Sequence, residues 1–255
     1  MKIIFLGCGT STGVPVIGCH CSVCSSDEPK NKRTRSSILV RTGSMNILVD
    51  ASTDLRAQSL ENGVERIDAV LFTHPHADHI HGIDELRAFN FLQGSSIPCY
   101  GSPHTIARIR SMFDYIFTDT PGCGWKPRLT THEVTGPFNL FGVEITPVEI
   151  EHGADRILGF RFDEAAYITD CSRIPDSSME KLLGLKVLII GALRQKPHPS
   201  HFTIDQALSV AGELKPRLTV LTHLGHGMDY RRDNPPLAPH ATMAYDGMEL
   251  DLLSF

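Results

Sequence analysis

The alternation of apolar and polar positions along the chain predicts an α/β protein. Ten short runs rich in β-branched and other apolar residues have the pattern of strands. They lie at 2–7, 37–42, 46–51, 69–73, 97–101, 143–150, 158–162, 165–169, 186–192 and 218–223. Apolar residues at helical spacing predict helices over 54–63, 83–94, 104–117 and 203–215. Because strands occur in clusters with helices between them, we expect two sheets with outer helices.

Helix ends and loops are also visible in the pattern. Gly63 and Gly94 are expected C-terminal caps, and Thr203 with Gln206 forms a capping box at the start of the last helix. The longest irregular stretch, 118–132, is expected to be a surface loop. A lid over a site is the alternative interpretation of that stretch.

Length and composition favour one folded unit. The chain has 255 residues, of which 41% are hydrophobic and 21% charged, and no linker or internal repeat divides it. We therefore predict a single domain over 1–255. The formal net charge of −5 disfavours duplex nucleic acid as a partner. The short apolar start and the absence of an 18-residue apolar run predict a cytoplasmic protein that does not associate with a membrane.

The stretch THPHADHIHG, residues 73–82, concentrates metal-ligand side chains between a strand and a helix. In extended backbone His74 and His76 share a face, so they can bind one ion together. Asp78 and His79 fall near the helix start and point differently, so they can serve a second ion. Two ions about 3.5–4 Å apart form the clamp used in many phosphoryl hydrolyses.

Further ligands are expected where other strands end. His152, Asp170 and His223 each come directly after an apolar run of strand type. Three residues of ligand type after three strands, together with the dense first cluster, predict a dinuclear metal site.

These residues resemble the metallo-β-lactamase superfamily over essentially the whole chain, together with the leading GCGTSTGVP. The resemblance implies an α/β fold of the αββα sandwich type. It also implies two sets of metal ligands and one shared carboxylate. The sets are His74, His76 and His152, then Asp78, His79 and His223, with Asp170 bridging both ions. A water between the ions would become hydroxide, the nucleophile of a hydrolase at neutral pH. Asp50, at the end of a strand, would support a ligand histidine through a hydrogen bond.

Three cysteines in the stretch GCHCSVC predict a separate structural zinc site. Cys19, Cys21 and Cys24 would supply three thiolates, and a tetrahedral site needs a fourth ligand. His226 is the expected fourth ligand, and His20 is the local alternative. The simpler interpretation is three free thiols in a mobile loop. We expect this zinc-binding loop to be an insertion at about 18–35.

The cysteine cluster narrows the resemblance to the PhnP-type branch of that superfamily. The stretch RQKPHPSHFT, the pair His223 and His226, and the closing AYDGMEL are similar to that branch as well. The branch includes a phosphoribosyl cyclic phosphate phosphodiesterase, and its members use zinc or manganese besides the zinc of the loop. By this resemblance His201 is the catalytic histidine, which protonates the leaving alkoxide or stabilises the charged phosphorane.

The remaining candidates have weaker support. His198 could orient His201 or contact phosphate, with a plain surface position as the alternative. His81 should face away from the metals. The basic stretch KNKRTR, residues 30–35, is a solvated loop or lends Arg33 or Arg35 to an anionic substrate.

Together these features predict a dinuclear metal phosphodiesterase that acts on small or cyclic phosphodiesters. His201 and Asp78 are the predicted catalytic residues, and the predicted cofactors are two divalent ions, zinc or manganese, and one structural zinc. The alternatives are a tRNA 3′-processing endonuclease, a thioester or lactam hydrolase, and a non-catalytic nucleotide-binding metalloprotein. The expected partner is a small phosphodiester substrate. A homodimer of the chain is the candidate oligomeric state.

Overall fold

The computed structural model describes residues 1–118, 126–234, 237 and 240–254. The strands of this part are β1 Lys2–Gly7, β2 Ser37–Thr42, β3 Met45–Val49, β4 Ala69–Leu71, β5 Ile97–Gly101, β6 Leu129–Glu133, β7 Phe138–Leu140, β8 Val143–His152, β9 Asp155–Phe162, β10 Ala165–Ile168, β11 Val187–Gly191, β12 Leu218–Thr222, β13 Ala241–Met243 and β14 Glu249–Asp251. The helices are α1 Leu55–Glu61, α2 Ala77–Ile80, α3 Leu86–Gln93, α4 Pro103–Met112, α5 Asp114–Phe117, α6 Asp176–Glu180, α7 Ile204–Leu214 and α8 Tyr230–Asp233.

The strands form two mixed sheets of related design. The first sheet has the order β14-β1-β2-β3-β4-β5-β6, and the second has the order β13-β12-β11-β10-β9-β8-β7. The run β3 to β6 is parallel in the first sheet, and β10 to β13 is parallel in the second. Each sheet therefore presents several parallel strand ends at one edge, which is where ligand sites form in α/β proteins.

Burial on both faces of each sheet explains the layers. In β1, Ile3 and Phe5 belong to a core that also contains Phe160 and Ile189 of the second sheet, so these residues pack between the sheets. Their neighbours face the outer helices: Leu6 packs in a core with residues of α1, α3 and α4. A third core joins the outer face of the second sheet to α7. The predicted αββα sandwich is confirmed.

Several predicted elements needed correction. The stretch 118–132 was wrongly expected to be wholly irregular, because Leu129–Glu133 pairs in parallel with β5. Residues 119–125 of that stretch, and with them the lid interpretation, lie outside the described residues. The predicted helix over 104–117 is interrupted at Phe113, whose φ of −120° and ψ of 43° separate α4 from α5. The short strands β7, β13 and β14 were missed, since three residues give too little pattern to identify.

Two of the three expected helix ends agree with the structure; the exception is α1, whose C-cap is Asn62 and not Gly63. Thr203 and Gln206 form the complete capping box before α7. Gly94 ends α3 in the left-handed conformation, with φ of 69°. No helix in the described part of the chain is long and apolar enough to cross a membrane. The single-domain boundary at 1–255 stays a prediction.

Candidate metal centre

The predicted metal ligands gather at the strand ends of both sheets. Asp50 follows β3 and His74 follows β4, while Asp170 follows β10 and His223 follows β12. His152 differs slightly from its expected place, because it is the last residue of the antiparallel strand β8. The ends of the parallel strands in the two sheets therefore face one another across this centre.

Three residues of the centre hold a left-handed backbone conformation. Asp50, Asp170 and His223 have φ values of 63°, 51° and 55°, although none is glycine. Such conformations cost about 1–3 kcal/mol and persist where the surrounding structure imposes them. Each of these residues ends a strand and turns its side chain sharply into the centre.

The first ligand set contains His74, His76 and His152. Nitrogen atoms of all three lie within 4.8 Å of one another, and His74 Nε2 is 3.0 Å from His76 Nδ1. His152 Nδ1 donates a hydrogen bond to the carbonyl oxygen of Ser200 over 2.8 Å. That bond leaves the Nε2 lone pair of His152 available for a metal.

A similar relay fixes His74. The Thr73 hydroxyl donates to Asp50 Oδ2 over 2.8 Å, so it accepts from His74 Nδ1, which lies 3.0 Å away. Nε2 of His74 is then the free acceptor, as a metal ligand requires. Burial lowers the pKa of His74 well below its ordinary value, with the charge of His79 as the next cause. The neutral form that binds metals is therefore favoured.

The second ligand set contains Asp78, His79, Asp170 and His223, again within 4.8 Å of one another. Asp78 and His79 lie on α2, so the helix start predicted after the strand is present. His79 Nε2 lies 3.2 Å from Asp78 Oδ2 and 3.5 Å from Asp170 Oδ1. His223 Nδ1 lies 3.0 Å from Asp170 Oδ1.

Asp170 lies between the two sets. Its Oδ1 faces His79 and His223, whereas its Oδ2 is 3.8 Å from His74 Nε2. One carboxylate oxygen is thus directed to each set. This is the arrangement that the predicted bridging role of Asp170 requires.

Asp50 supports His79 as predicted from the sequence. Asp50 is fully buried, and its Oδ2 accepts a hydrogen bond of 2.7 Å from His79 Nδ1. The backbone N–H and the hydroxyl of Thr73 also donate to Asp50, each over 2.8 Å. The hydrogen bond to Nδ1 turns Nε2 of His79 toward the centre.

Two observations show that this donor set fits divalent ions. His79 Nε2 and Asp78 Oδ2 are buried, and neither has a hydrogen-bond partner among the described residues. Unsatisfied buried polar atoms are costly unless an ion or water binds them. Burial disfavours a charged His79, but the carboxylates of Asp170, Asp50 and Asp78 raise its pKa well above the ordinary value. The negative charge of these buried carboxylates favours the binding of a cation.

His201 lies against both ligand sets. Its ring stacks on that of His223 with centroids 5.0 Å apart, and it packs on His152 at 4.7 Å. A ring nitrogen of His201 lies within 4.8 Å of ligand atoms of His152 and Asp170. Burial, and next the charge of His223, lower the pKa of His201 to about 3. As a neutral imidazole it keeps one N–H to donate.

His198 neighbours His201, with ring centroids 4.9 Å apart. Its Nδ1 accepts hydrogen bonds from the backbone N–H and the hydroxyl of Ser200, at 3.3 Å and 3.2 Å. His198 is therefore an ordered part of the loop that carries His201. The role of orienting His201 stays a prediction.

The cysteine cluster assembles with the histidine expected from its sequence spacing. His226 Nδ1 lies 3.4 Å, 3.5 Å and 3.6 Å from the sulfur atoms of Cys19, Cys21 and Cys24. The backbone N–H of Cys24, followed by neighbouring side chains, lowers the pKa of Cys21 to about 6. His20 is exposed and outside this group. Three sulfurs and one nitrogen are a set that suits tetrahedral zinc.

The two arginines of the stretch 30–35 that were considered for an anionic substrate both have partners within the protein. Arg33 is 2% exposed, and its guanidinium donates to the carbonyl oxygens of Met228 and Gly225 over 2.8 Å and 3.2 Å. Arg35 pairs with Asp54 over 3.1 Å. Arg33 instead ties the zinc-binding loop to the segment that carries His226. His81 is exposed and packs on Phe113, as its helical position indicated.

Sequence reasoning missed the hydroxyl groups around His223. Thr10 Oγ1 is 3.2 Å from His223 Nε2, and Ser36 Oγ is 3.3 Å from Nδ1. The backbone holds these groups together, because Leu224 N–H donates to the carbonyl oxygen of Cys8 over 2.8 Å. The stretch GCGTSTG, which contains Thr10, indicated from the sequence that this segment belongs to the site. The contact between Thr10 and His223 could not be predicted, because it depends on the fold.

Comparisons with known proteins show the family to which the chain is similar. The model of the beta-lactamase superfamily domain matches residues 45–224. A solved structure described as a new diphosphatase from the PhnP family is 40% identical with a TM-score of 0.92, covering 98% of this chain and 97% of that one. Zinc-bound PqqB from Methylobacterium extorquens, at 23% identity, TM-score 0.80 and coverage of 99% and 100%, shows the fold alone.

A curated relative aligns over nearly the whole chain. The octanoyltransferase of Porphyromonas gingivalis is 39% identical over 254 residues, which are 98% of this chain. The aligned part is only 51% of that relative, so the chain spans about half of its length.

Proposed function

Because the chain belongs to the metallo-β-lactamase superfamily and to its PhnP-type branch, we propose that it hydrolyses small or cyclic phosphodiesters with two divalent ions. The predicted family is confirmed. The class of metal-dependent hydrolase is part of this proposal. The position of His201 carries the narrower proposal. A histidine held against both ligand sets suits a reaction in which negative charge develops on an oxygen that leaves phosphorus.

The proposed residue roles follow from the geometry. His74, His76 and His152 would hold one ion, Asp78, His79 and His223 would hold the other, and Asp170 would be shared. When bound, divalent ions would supply Lewis-acid activation of the phosphoryl group and of a water. Zinc or manganese fits the histidine and carboxylate donors, and zinc fits the sulfur-rich set of the loop.

His201 and Asp78 complete the proposed mechanism. The ring N–H of His201 donates a hydrogen bond to the oxygen that departs from phosphorus and stabilises the negative charge that develops on it. Asp78 keeps its buried Oδ2 free of protein hydrogen bonds, so this oxygen is available at the reacting centre. Both residues were predicted to be catalytic from the sequence.

A diphosphate ester is the second candidate substrate. The structure that is 40% identical to this chain is described as a diphosphatase. Hydrolysis of a diphosphate ester also displaces an oxygen from a phosphorus that carries two substituents, so the same residue roles apply. The net charge of −5 gives no support to a tRNA substrate.

The partner and location predictions remain part of this proposal. A small phosphate ester is the proposed partner, without duplex nucleic acid or a membrane, and a homodimer stays a prediction. The free thiols of Cys19, Cys21 and Cys24 suit the reducing conditions of the cytoplasm.

The test is hydrolysis by manganese-loaded protein of bis(p-nitrophenyl) phosphate, a 2′,3′-cyclic nucleotide and NAD+, which contains a diphosphate. We expect His201→Ala to lower kcat by about 10²–10⁴-fold while both ions remain bound. The matched control is His132→Ala, at an exposed histidine on β6 outside both ligand sets.

The substrates separate the two candidates. Turnover of the diesters favours the phosphodiesterase, and turnover of NAD+ alone favours the diphosphate ester. No turnover of any of them by protein with filled metal sites would refute the proposed function, as would an unchanged kcat in His201→Ala.

A further inference from the structure

The loop that carries His201 leaves the second sheet after β11 and returns at the start of α7. Its base is closed, because Ile204 N–H donates to the carbonyl oxygen of Arg194 over 3.2 Å and Arg194 pairs with Thr203 in a short parallel bridge. Residues 195–201, the His201 loop, project from this base without a strand or helix of their own. The position of His201 therefore depends on contacts that hold the backbone of this loop.

Arg194 supports the His201 loop from its base. Its Nε donates to the carbonyl oxygen of Lys196 over 3.0 Å, and its Nη2 donates to that of Pro197 over 2.8 Å. The two acceptors are consecutive, so one planar group with fixed donors holds the first turn of the loop. Within the described part of the chain no carboxylate pairs with Arg194, so the guanidinium serves this backbone alone.

The far end of the His201 loop is fixed to the metal centre. The carbonyl oxygen of Ser200 accepts from His152 Nδ1 over 2.8 Å. A Cβ atom on Gly153 would lie 3.2 Å from the Cβ atom of Ser200, so the loop packs tightly on the turn after β8. The next residue, His201, packs on His152 with ring centroids 4.7 Å apart. The loop thus has two supports, Arg194 at its base and Ser200 beside a predicted metal ligand.

The segment between the two supports is stiff. Pro197 and Pro199 flank His198, and each proline ring fixes its own φ. His198 Nδ1 also accepts from the backbone N–H and the hydroxyl of Ser200, over 3.3 Å and 3.2 Å. A displacement of the Pro197 carbonyl group is therefore passed along the chain to Ser200, and with it to His201.

We propose that Arg194 is a positioning residue for His201, whose imidazole it keeps against both ligand sets by fixing two carbonyl groups of the His201 loop. The inference rests on the proposed function, because the role of His201 in the reaction is part of that proposal. It assigns Arg194 to the rate of the reaction and not to the binding of ions or substrate.

A double-mutant cycle tests whether Arg194 acts through His201. Turnover of the substrate that the wild type hydrolyses is measured for manganese-loaded wild type, Arg194→Gln, His201→Ala and the double variant. We expect Arg194→Gln to lower kcat about tenfold and to keep KM within about twofold, because a displaced imidazole stabilises the leaving oxygen less well. In the His201→Ala background the same substitution should change kcat by less than about twofold.

Arg194→Lys separates geometry from charge. Lysine keeps the positive charge but cannot hold two carbonyl groups in a fixed fork, so we expect most of the loss of kcat to remain. The matched control is Arg161→Gln, because Arg161 on β9 also donates to carbonyl oxygens, those of Lys181 and Leu183, outside the loop and both ligand sets. This control should keep the wild-type kcat.

Two kinetic outcomes would overturn the inference. A raised KM with unchanged kcat in Arg194→Gln, restored by lysine, would make Arg194 a direct contact of the substrate. An equal loss of kcat with and without His201 would show that Arg194 does not act through that histidine.

Hydrogen exchange keeps the inference separate from the proposed function. Deuterium uptake of the manganese-loaded proteins is followed by mass spectrometry, with the Ser200 amide as the reporter within the His201 loop. In Arg194→Gln we expect exchange in this loop to be about fivefold faster or more, while β11 and α7 keep their wild-type rates. That result supports the positioning role even if no substrate is hydrolysed, and a wild-type exchange rate in the loop refutes it.

Discussion

At the scale of single residues, the centre depends on groups that the metal would not touch. Asp50 accepts hydrogen bonds from His79 and from Thr73, and Thr73 in turn accepts from His74. One buried carboxylate therefore sets the ring orientation of a histidine in each ligand set. Mutation of such supporting groups typically lowers metal affinity by about 10–100-fold.

Asp50→Asn tests this positioning role. Asparagine tolerates the left-handed backbone at this position, where φ is 63°, so the substitution changes the charge with little added strain. We expect the affinity for manganese to fall about 10–100-fold, because an amide cannot accept all the hydrogen bonds that the carboxylate accepts. Isothermal titration calorimetry of metal-free protein measures this affinity.

The control for this variant is Asp68→Asn. Asp68 is also a buried carboxylate, but it pairs with Arg66 and lies outside the metal clusters. The Asp68→Asn substitution should lower the free energy of unfolding and leave the manganese affinity unchanged. Equal manganese affinity in Asp50→Asn and the wild type would contradict the positioning role.

At the scale of elements, the short helix α2 is placed by a close backbone contact. The Gly82 N–H donates to the carbonyl oxygen of Ala51 over 2.9 Å, just after Asp50. A Cβ atom on Gly82 would lie 1.9 Å from the carbonyl oxygen of Ser52. Only glycine lets α2, which carries Asp78 and His79, approach the end of β3.

Gly82→Ala should therefore displace α2. We expect the free energy of unfolding to fall by about 1–3 kcal/mol, because the added methyl group forces a backbone shift. Manganese affinity should fall as well, since Asp78 and His79 move with the helix. Urea unfolding and metal titration measure the two effects.

The matched control is Gly212→Ala in α7, where an added Cβ would meet no atom within 4 Å. That variant should be as stable as the wild type or more stable by up to about 1 kcal/mol, because alanine favours a helix over glycine. A Gly82→Ala protein with wild-type stability and metal affinity would show that the contact does not position α2.

The zinc-binding loop is a second element that relies on distant partners. Its three cysteines meet His226, which lies more than 200 residues further along the chain. Arg33, a buried residue of the same loop, donates to the carbonyl oxygens of Gly225 and Met228 on either side of that histidine. His223 lies in the same segment, so the loop site and the metal centre share one piece of backbone.

At the scale of the whole molecule, the metal centre joins the two sheets. His74, His76, Asp78 and His79 follow a strand of the first sheet, whereas His152, Asp170 and His223 belong to strand ends of the second. An ion bound by residues of both sheets binds the folded chain and not the unfolded one. Metal binding should therefore stabilise the sandwich as a unit.

Thermal unfolding with and without manganese tests this link, in a Cys21→Ser background that removes the contribution of the loop site. At a free ion concentration 100 times Kd, the expected gain is about 2.7 kcal/mol for one site, which raises Tm by several degrees. Asp170→Ala, which removes the shared carboxylate, should lose most of this gain. An equal manganese-induced rise in Tm in both proteins would argue against a centre that links the sheets.

Much of the fold and the centre could be predicted from the chain alone. Strand runs, the capping box at Thr203 and the His74 to His79 cluster are local patterns, because side-chain alternation and helix capping depend on neighbours in sequence. His152, Asp170 and His223 were predicted from their positions directly after strand-type runs, and the family resemblance assigned them to ligand sets. Arg33 shows the limit, since a basic residue in a basic stretch is usually solvated, and only the fold buries it.

The sequence by itself determined which chemical groups are present and which strands and helices carry them. Only the tertiary structure decided that Asp50 supports His79 and that Thr10 and Ser36 surround His223. These contacts join residues from 29 to 213 positions apart. Their formation depends on the packing of two sheets, whose free energy is spread over the whole core, so no local pattern in the chain specifies them.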